Sequence, residues 1–204
     1  MDRSPSGIAR SIRLAREGEP AALNDLLDAH RNYLRLLAAS CLYREMRGKA
    51  DPSDVVQETL LKVHRNFRQF RGTTESEWMA WLRRILVRNL ADFQKGLQRH
   101  RRKVSRERSL EGVVDRSSAM LRNMIPTAGP SPSAEAQRRE AAVLVADALA
   151  ELEPEDCEVV ILRSLHELDW RAIAERTGRS PDAARMLWAR AMQRVGGLLQ
   201  GKVS

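Results

Sequence analysis

Residues 51–70 read DPSDVVQETLLKVHRNFRQF, and the period of this stretch decides the fold class. Asp51 is a good N-cap, Pro52 suits the first helical position, and Asp54 places a carboxylate at the positive end of the helix dipole. Val56, Leu60, Val63, Phe67 and Phe70 recur every three or four residues, an apolar stripe broad enough to pack on neighbouring helices. The opposite side carries Asp54, Gln57, Glu58, Leu61 and Arg65. A leucine set among acidic and amide groups is odd for a surface that meets only water. An apolar centre with a polar surround is how protein–protein contact patches are built. A solvated face with one stray leucine is the competing reading.

The same helical logic extends outward in both directions. Towards the N-terminus, a helix over 8–17 stops at the turn signal Gly18-Glu19-Pro20. A second then begins near Pro20, with Leu23, Leu26, Leu27, Leu34, Leu37 and Cys41 in helical spacing as far as Gly48. Towards the C-terminus, residues 71–75 form a loop and Ser76 caps a fourth helix carrying Trp78, Leu82, Ile85, Leu86 and Phe93. Residues 105–133, with prolines at 126, 130 and 132, have a composition that buries little apolar area and predict a flexible linker. Helices resume over 134–151, 154–165, 169–177 and 181–199. The expected fold is all-α: an N-terminal helical bundle over 1–104 and a C-terminal helix-turn-helix domain over 134–204, joined by the linker.

The C-terminal segment 170–195 has its own pattern. Ile173 and Ala174 share a face of one helix, and Gly178 follows four residues later, where a turn needs positive φ. Ser180 caps the next helix, Pro181 starts it, and Asp182 suits its positive end. Ala184, Leu187, Trp188, Ala191 and Val195 point inward; Asp182, Arg185, Met186, Ala189 and Gln193 point outward. A recognition helix offers its exposed N-terminal residues to the major groove, so Arg185 is the leading base reader. Arg179, Arg190 and Arg194 suit phosphates. A plain helical hairpin with a charged, solvated face is the alternative. Trp188 reads as a core anchor.

Composition narrows the partners. The 204 residues include 35 Lys and Arg against 27 Asp and Glu, a formal charge of +8, which favours an anionic partner such as nucleic acid. No uninterrupted apolar run reaches membrane-spanning length, so no membrane insertion is expected. The first 20 residues lack an apolar signal core, and the chain reads as cytoplasmic. Cys41 and Cys157 lie far apart, and the four histidines have no metal-ligand spacing, so neither metal nor cofactor is expected. Phosphate-cradling glycine loops, nucleophile elbows and clustered carboxylates are all missing from the sequence, which argues against an enzyme. Seven basic residues, Lys95, Arg99, Arg101, Arg102, Lys103, Arg106 and Arg108, stand against Glu107 alone, a density suited to phosphate contacts without base choice.

Four blocks carry a family resemblance. Residues 54–63, DVVQETLLKV, followed by FRQFRG over 67–72, closely resemble the signature of bacterial extracytoplasmic-function sigma factors of the sigma-70 family. WMAWLRRILVRNL over 78–90 resembles the next block, and RLAREGEPAAL over 13–23 looks like the family's opening. DWRAIAERTG over 169–178 is similar to its second DNA-binding region. The recognition helix departs from the family, reading Ala183-Ala184-Arg185-Met186 where Val-Lys-Ser is common, so the resemblance carries no −35 sequence.

The resemblance implies a sigma factor that directs core RNA polymerase to promoters. It assigns binding of the polymerase clamp coiled coil to Asp54, Gln57, Glu58, Leu61 and Arg65, with a further contact to the flap. It assigns the partly unpaired −10 element to Arg71, Gly72, Thr73, Thr74, Arg84, Arg88 and Asn89, with Lys95, Arg99, Arg101, Arg102 and Lys103 beside them. Double-stranded −35 DNA falls to Arg171, Arg179, Ser180, Asp182, Arg185, Met186, Arg190 and Arg194. An anti-sigma partner is compatible with the family. Two assignments compete with core roles: Asn89 falls on the apolar stripe, where a buried, internally bonded amide is the alternative, and Trp78 and Trp81 fit a core as well as DNA melting. An ordinary helix-turn-helix repressor, dimerising through its N-terminal half, is the rival function.

Overall fold

The computed structural model describes residues 4–45, 51–97, 103–125 and 131–203. These residues form helices α1 (Pro5–Arg16), α2 (Pro20–Glu45), α3 (Pro52–Asn66), α4 (Glu75–Leu97), α5 (Lys103–Asn123), α6 (Pro132–Ala150), α7 (Pro154–Val160), α8 (Trp170–Thr177) and α9 (Pro181–Val203). Among the described residues there is no strand. The chain divides into two compact units, Met1–Val143 and Leu144–Ser204.

In the first unit α2 is the central element, packing against α1, α3, α4 and α5. Its Leu26, Tyr33, Leu34 and Leu37 are fully buried and meet Ile8 and Ile12 of α1, Val56 and Val63 of α3, and Trp78, Leu82, Leu86 and Leu90 of α4 in one core. Each such side chain contributes roughly 1.5–3 kcal/mol on leaving water. α3 begins as its sequence dictates, with the Asp51 carboxylate accepting from the Ser53 amide at 2.8 Å. Its stripe residues Val56, Leu60, Val63, Phe67 and Phe70 are all buried, the last two on a short 3-10 turn (Phe67–Gln69) and just beyond it.

The linker expectation needs correction. Residues 103–123, assigned largely to a flexible tether, form α5 and pack on α2 and α4. Leu110, Val114 and Leu121 lie one or two turns apart and are buried, a helical stripe diluted by serines. Those serines are themselves part of the seam: Tyr33 Oη donates to Ser118 Oγ at 2.8 Å, and Ser117 Oγ donates to Ser40 Oγ at 3.0 Å. A segment of polar composition packs here because its serines find hydrogen-bond partners on α2. Residues 126–130, with two of the three prolines, lie outside the described residues.

In the second unit α7, α8 and α9 enclose Val159, Val160, Leu162, Ile173, Ala174, Ala184, Leu187, Ala191 and Val195. The expected helix over 154–165 is α7 followed by a wider π-type turn (Ile161–Leu165).

Candidate functional site

The outward face of α3 is fixed by what its other face does. Thr59 Oγ1 donates to the Val55 carbonyl at 2.7 Å, and Asn89 of α4 inserts beside them. Its Nδ2 donates to Val55 O at 2.9 Å and to Thr59 Oγ1 at 3.0 Å, while its Oδ1 accepts from Lys62 Nζ at 2.6 Å. With Asn89 only 5% exposed, both donors and the acceptor are committed within the chain. This geometry favours the competing reading of Asn89, a buried amide that keys α3 to α4. With that register set, Asp54, Gln57, Glu58, Leu61 and Arg65 all face solvent. Leu61 is 45% exposed, and among the described residues only Met186, at 67%, is another large apolar side chain so displayed.

Between α3 and α4 the backbone of residues 70–74 is tied on both sides. Arg16, at the end of α1, donates from Nη2 to the carbonyls of Phe70 and Gly72 at 3.1 and 2.5 Å. Its guanidinium also lies over the Phe70 ring, 5.5 Å from the centroid. From the other side the Glu77 carboxylate accepts from Thr73 N, Thr74 N and Thr74 Oγ1 at 2.9, 3.1 and 2.8 Å. Glu77 N donates back to Thr74 Oγ1 at 3.3 Å, completing a capping box. Thr74, not Ser76, thus caps α4, because Thr74 and Glu77 have the reciprocal three-residue spacing. The Thr73 amide, helped by the Thr74 hydroxyl and amide, holds the Glu77 carboxyl below its ordinary range. Gly72 has no room for a side chain: a Cβ would lie 2.6 Å from Glu77 Cβ and from the Phe70 ring.

Phe70 stacks on Trp81 with centroids 5.0 Å apart and meets Trp78 edge-on at 5.4 Å. Trp78 is completely buried and Trp81 half-buried, which makes Trp78 a core residue. A groove of about 680 Å³ opens beside the loop, lined by Arg16, His64, Phe67, Arg68, Phe70 and Arg71 among others. Arg84 and Arg88 are exposed one turn apart on α4. Lys95 is half-buried and 3.5 Å from Asp92, so its charge is partly answered inside the helix. Arg99, Arg101 and Arg102 lie outside the described residues, as does the side chain of Lys103.

In the second unit Asp169 caps α8 through the Ala172 amide at 2.8 Å. Gly178 takes φ 67°, the left-handed conformation that a helix C-terminus favours in glycine. Ser180 Oγ accepts from Ala183 N at 3.2 Å and starts α9. The outward set Asp182, Arg185, Met186, Ala189 and Gln193 is exposed throughout, as are Arg171, Arg179, Ser180, Arg190 and Arg194. Trp188 is half-buried, 5.9 Å edge-on from Trp170. Arg163 and Arg185 flank the Trp170 ring at 4.8 and 5.9 Å. Several of these arginines have carboxylate partners. Arg179 pairs with Glu155, Arg194 approaches Asp156 at 3.6 Å, and Arg185 approaches Asp182 at 3.3 Å. Reading the sequence missed Arg16, Glu77, Glu155 and Asp156. Only the Thr74–Glu77 spacing gave a local signal; the other contacts join residues distant in sequence.

Among the described residues no helix is long and apolar enough to cross a membrane. A family model for sigma-70 region 2 matches residues 29–103, within the first unit, and one for sigma-70 region 4 matches residues 142–195, which include α7, α8 and most of α9. No curated protein matches the chain. The two matches together cover more than half of the sequence, in the order the resemblance implied. The chain belongs to the sigma-70 family of transcription initiation factors, and its region 4 is of the type carried by extracytoplasmic-function members.

Proposed function

We propose that this sigma factor docks on core RNA polymerase through the outward face of α3 and reads two promoter elements with its two units. The observation that carries the docking surface is Leu61, 45% exposed on a helix whose other face is locked into the core. Asp54, Gln57, Glu58 and Arg65 surround it, and a buried apolar anchor with a polar rim is what a stable contact requires. The clamp coiled coil is the partner that face receives, and the flap receives the second unit.

The loop over residues 71–74, with Arg84 and Arg88, takes the −10 element. The groove beside it is edged by the exposed guanidinium groups of Arg68 and Arg71, cations suited to the phosphates of an unpaired strand. Arg185 and Met186, at the exposed start of α9, read the −35 duplex, with Arg171, Arg179, Arg190 and Arg194 on its backbone. The protein acts where the polymerase is, in the cytoplasm.

Transcription in vitro from a genomic library tests the whole reading. Core enzyme plus this chain is expected to give discrete start sites preceded by two shared elements at fixed spacing. Starts no different from those of core alone, together with tight binding of the free chain to a palindrome, would establish the repressor instead.

A further inference from the structure

Arg16 lies outside the segment matched as region 2, yet it reaches across 54 residues of sequence to hold the loop at Phe70. One terminal NH2 group supplies one hydrogen to each of two carbonyls, those of Phe70 and Gly72, which must converge for this to happen. The Glu77 carboxylate collects the amides of Thr73 and Thr74. A cation therefore gathers the carbonyls and an anion gathers the amides of one five-residue stretch. Each end of the backbone dipole meets the charge that favours it. Arg16 is itself exposed, so its contribution is to the loop's shape and not to the core. A loop held in one conformation before binding loses less freedom when it binds.

We propose that Arg16 is a positioning residue for −10 recognition: it presets the backbone of residues 70–74 in the shape that discriminates between bases. This rests on the reading that the loop meets the −10 element, and it adds a residue of α1 to the determinants of promoter choice. Arg16 need not touch DNA for this role.

The test uses holoenzyme reconstituted from core polymerase and the full chain, on promoter libraries randomised separately at −10 and at −35. Arg16→Gln is expected to reduce the preference for the selected −10 sequence by about threefold to tenfold, the equivalent of losing one ordinary hydrogen bond, since Arg16 is exposed and its charge is screened by solvent. The −35 preference, read by the second unit, stays unchanged. Arg16→Lys, which keeps a donor able to serve both carbonyls, is expected to restore most of the −10 preference. Amide exchange across residues 70–74 of Arg16→Gln is expected to quicken while the interiors of α3 and α4 keep their protection.

Three results overturn the proposal, and they differ in what else they remove. A −10 preference lost in Arg71→Ala and Thr73→Ala but kept in Arg16→Gln leaves the loop as reader and eliminates Arg16. A −10 preference kept in all three variants eliminates the loop itself. Uniformly weaker binding by Arg16→Gln at every −10 sequence makes Arg16 a phosphate contact and not a positioning residue.

Discussion

Replacing Asn89 separates a structural amide from a DNA-reading one. In Asn89→Ala, three hydrogen bonds to Val55, Thr59 and Lys62 are lost together. The partners are not equally stranded. Thr59 Oγ1 still donates to Val55 O, and the Lys62 side chain, 33% exposed and 3.8 Å from Glu58, can turn to water and that carboxylate. At about 1 kcal/mol net per neutral bond, with a further term for the space left behind, the cost is about 2–4 kcal/mol. Native-state amide exchange is the suitable assay, because two compact units need not unfold as one transition. Where exchange of α3 and α4 amides requires opening of the first unit, it should accelerate from roughly 30-fold to several hundredfold, at about 1.4 kcal/mol per factor of ten. Exchange in α8 and α9 should not change. Unaltered protection of α3, combined with loss of −10 preference in the holoenzyme, would refute this reasoning and return Asn89 to the DNA surface.

Two other perturbations follow from pairs already described. Glu155→Gln releases Arg179 from its carboxylate, and the holoenzyme should bind −35 duplex up to about fivefold more tightly, the upper range for an exposed pair. Equal affinity of the variant and the parent in a titration at low salt would show that the pair does not compete with phosphate. Glu75 is buried at the start of α4, and burial raises its carboxyl pKa above the ordinary 4.5 despite the Arg139 guanidinium beside it. The folded state then binds this proton more tightly than the unfolded state. The resulting stabilisation is complete below 4.5 and is lost as pH rises through the raised value. Relative to Glu75→Gln, the parent should lose stability across that window in denaturant titrations; parallel curves for the two proteins would remove the effect.

The helix class was legible because apolar periodicity is local information. The buried stripe of α3, the exposed row opposite it and the inward face of α9 all follow from residue spacing. The caps at Asp51 and Ser180 were equally plain, since each bonds an amide two or three residues onward. What spacing could not show was which polar residues pack. Ser117 and Ser118 look like linker residues until Ser40 and Tyr33, some eighty positions earlier, supply their partners. Asn89 matched a DNA-reading block, but two helices close on it and use every polar atom it has. Arg16 and Glu155 gain their meaning only from residues 54 and 24 positions away. Tertiary hydrogen bonds of this kind have no period to betray them.

The polymerase-docking face of α3 is tested most directly by the affinity of core enzyme for Glu58→Lys/Leu61→Ala, measured by competition against the labelled parent chain. Both side chains are exposed, so helix content and the unfolding midpoint should barely change, while removal of an interface anchor is expected to weaken binding at least about tenfold. An undiminished affinity in a correctly folded variant would contradict the claim that this face grips the polymerase.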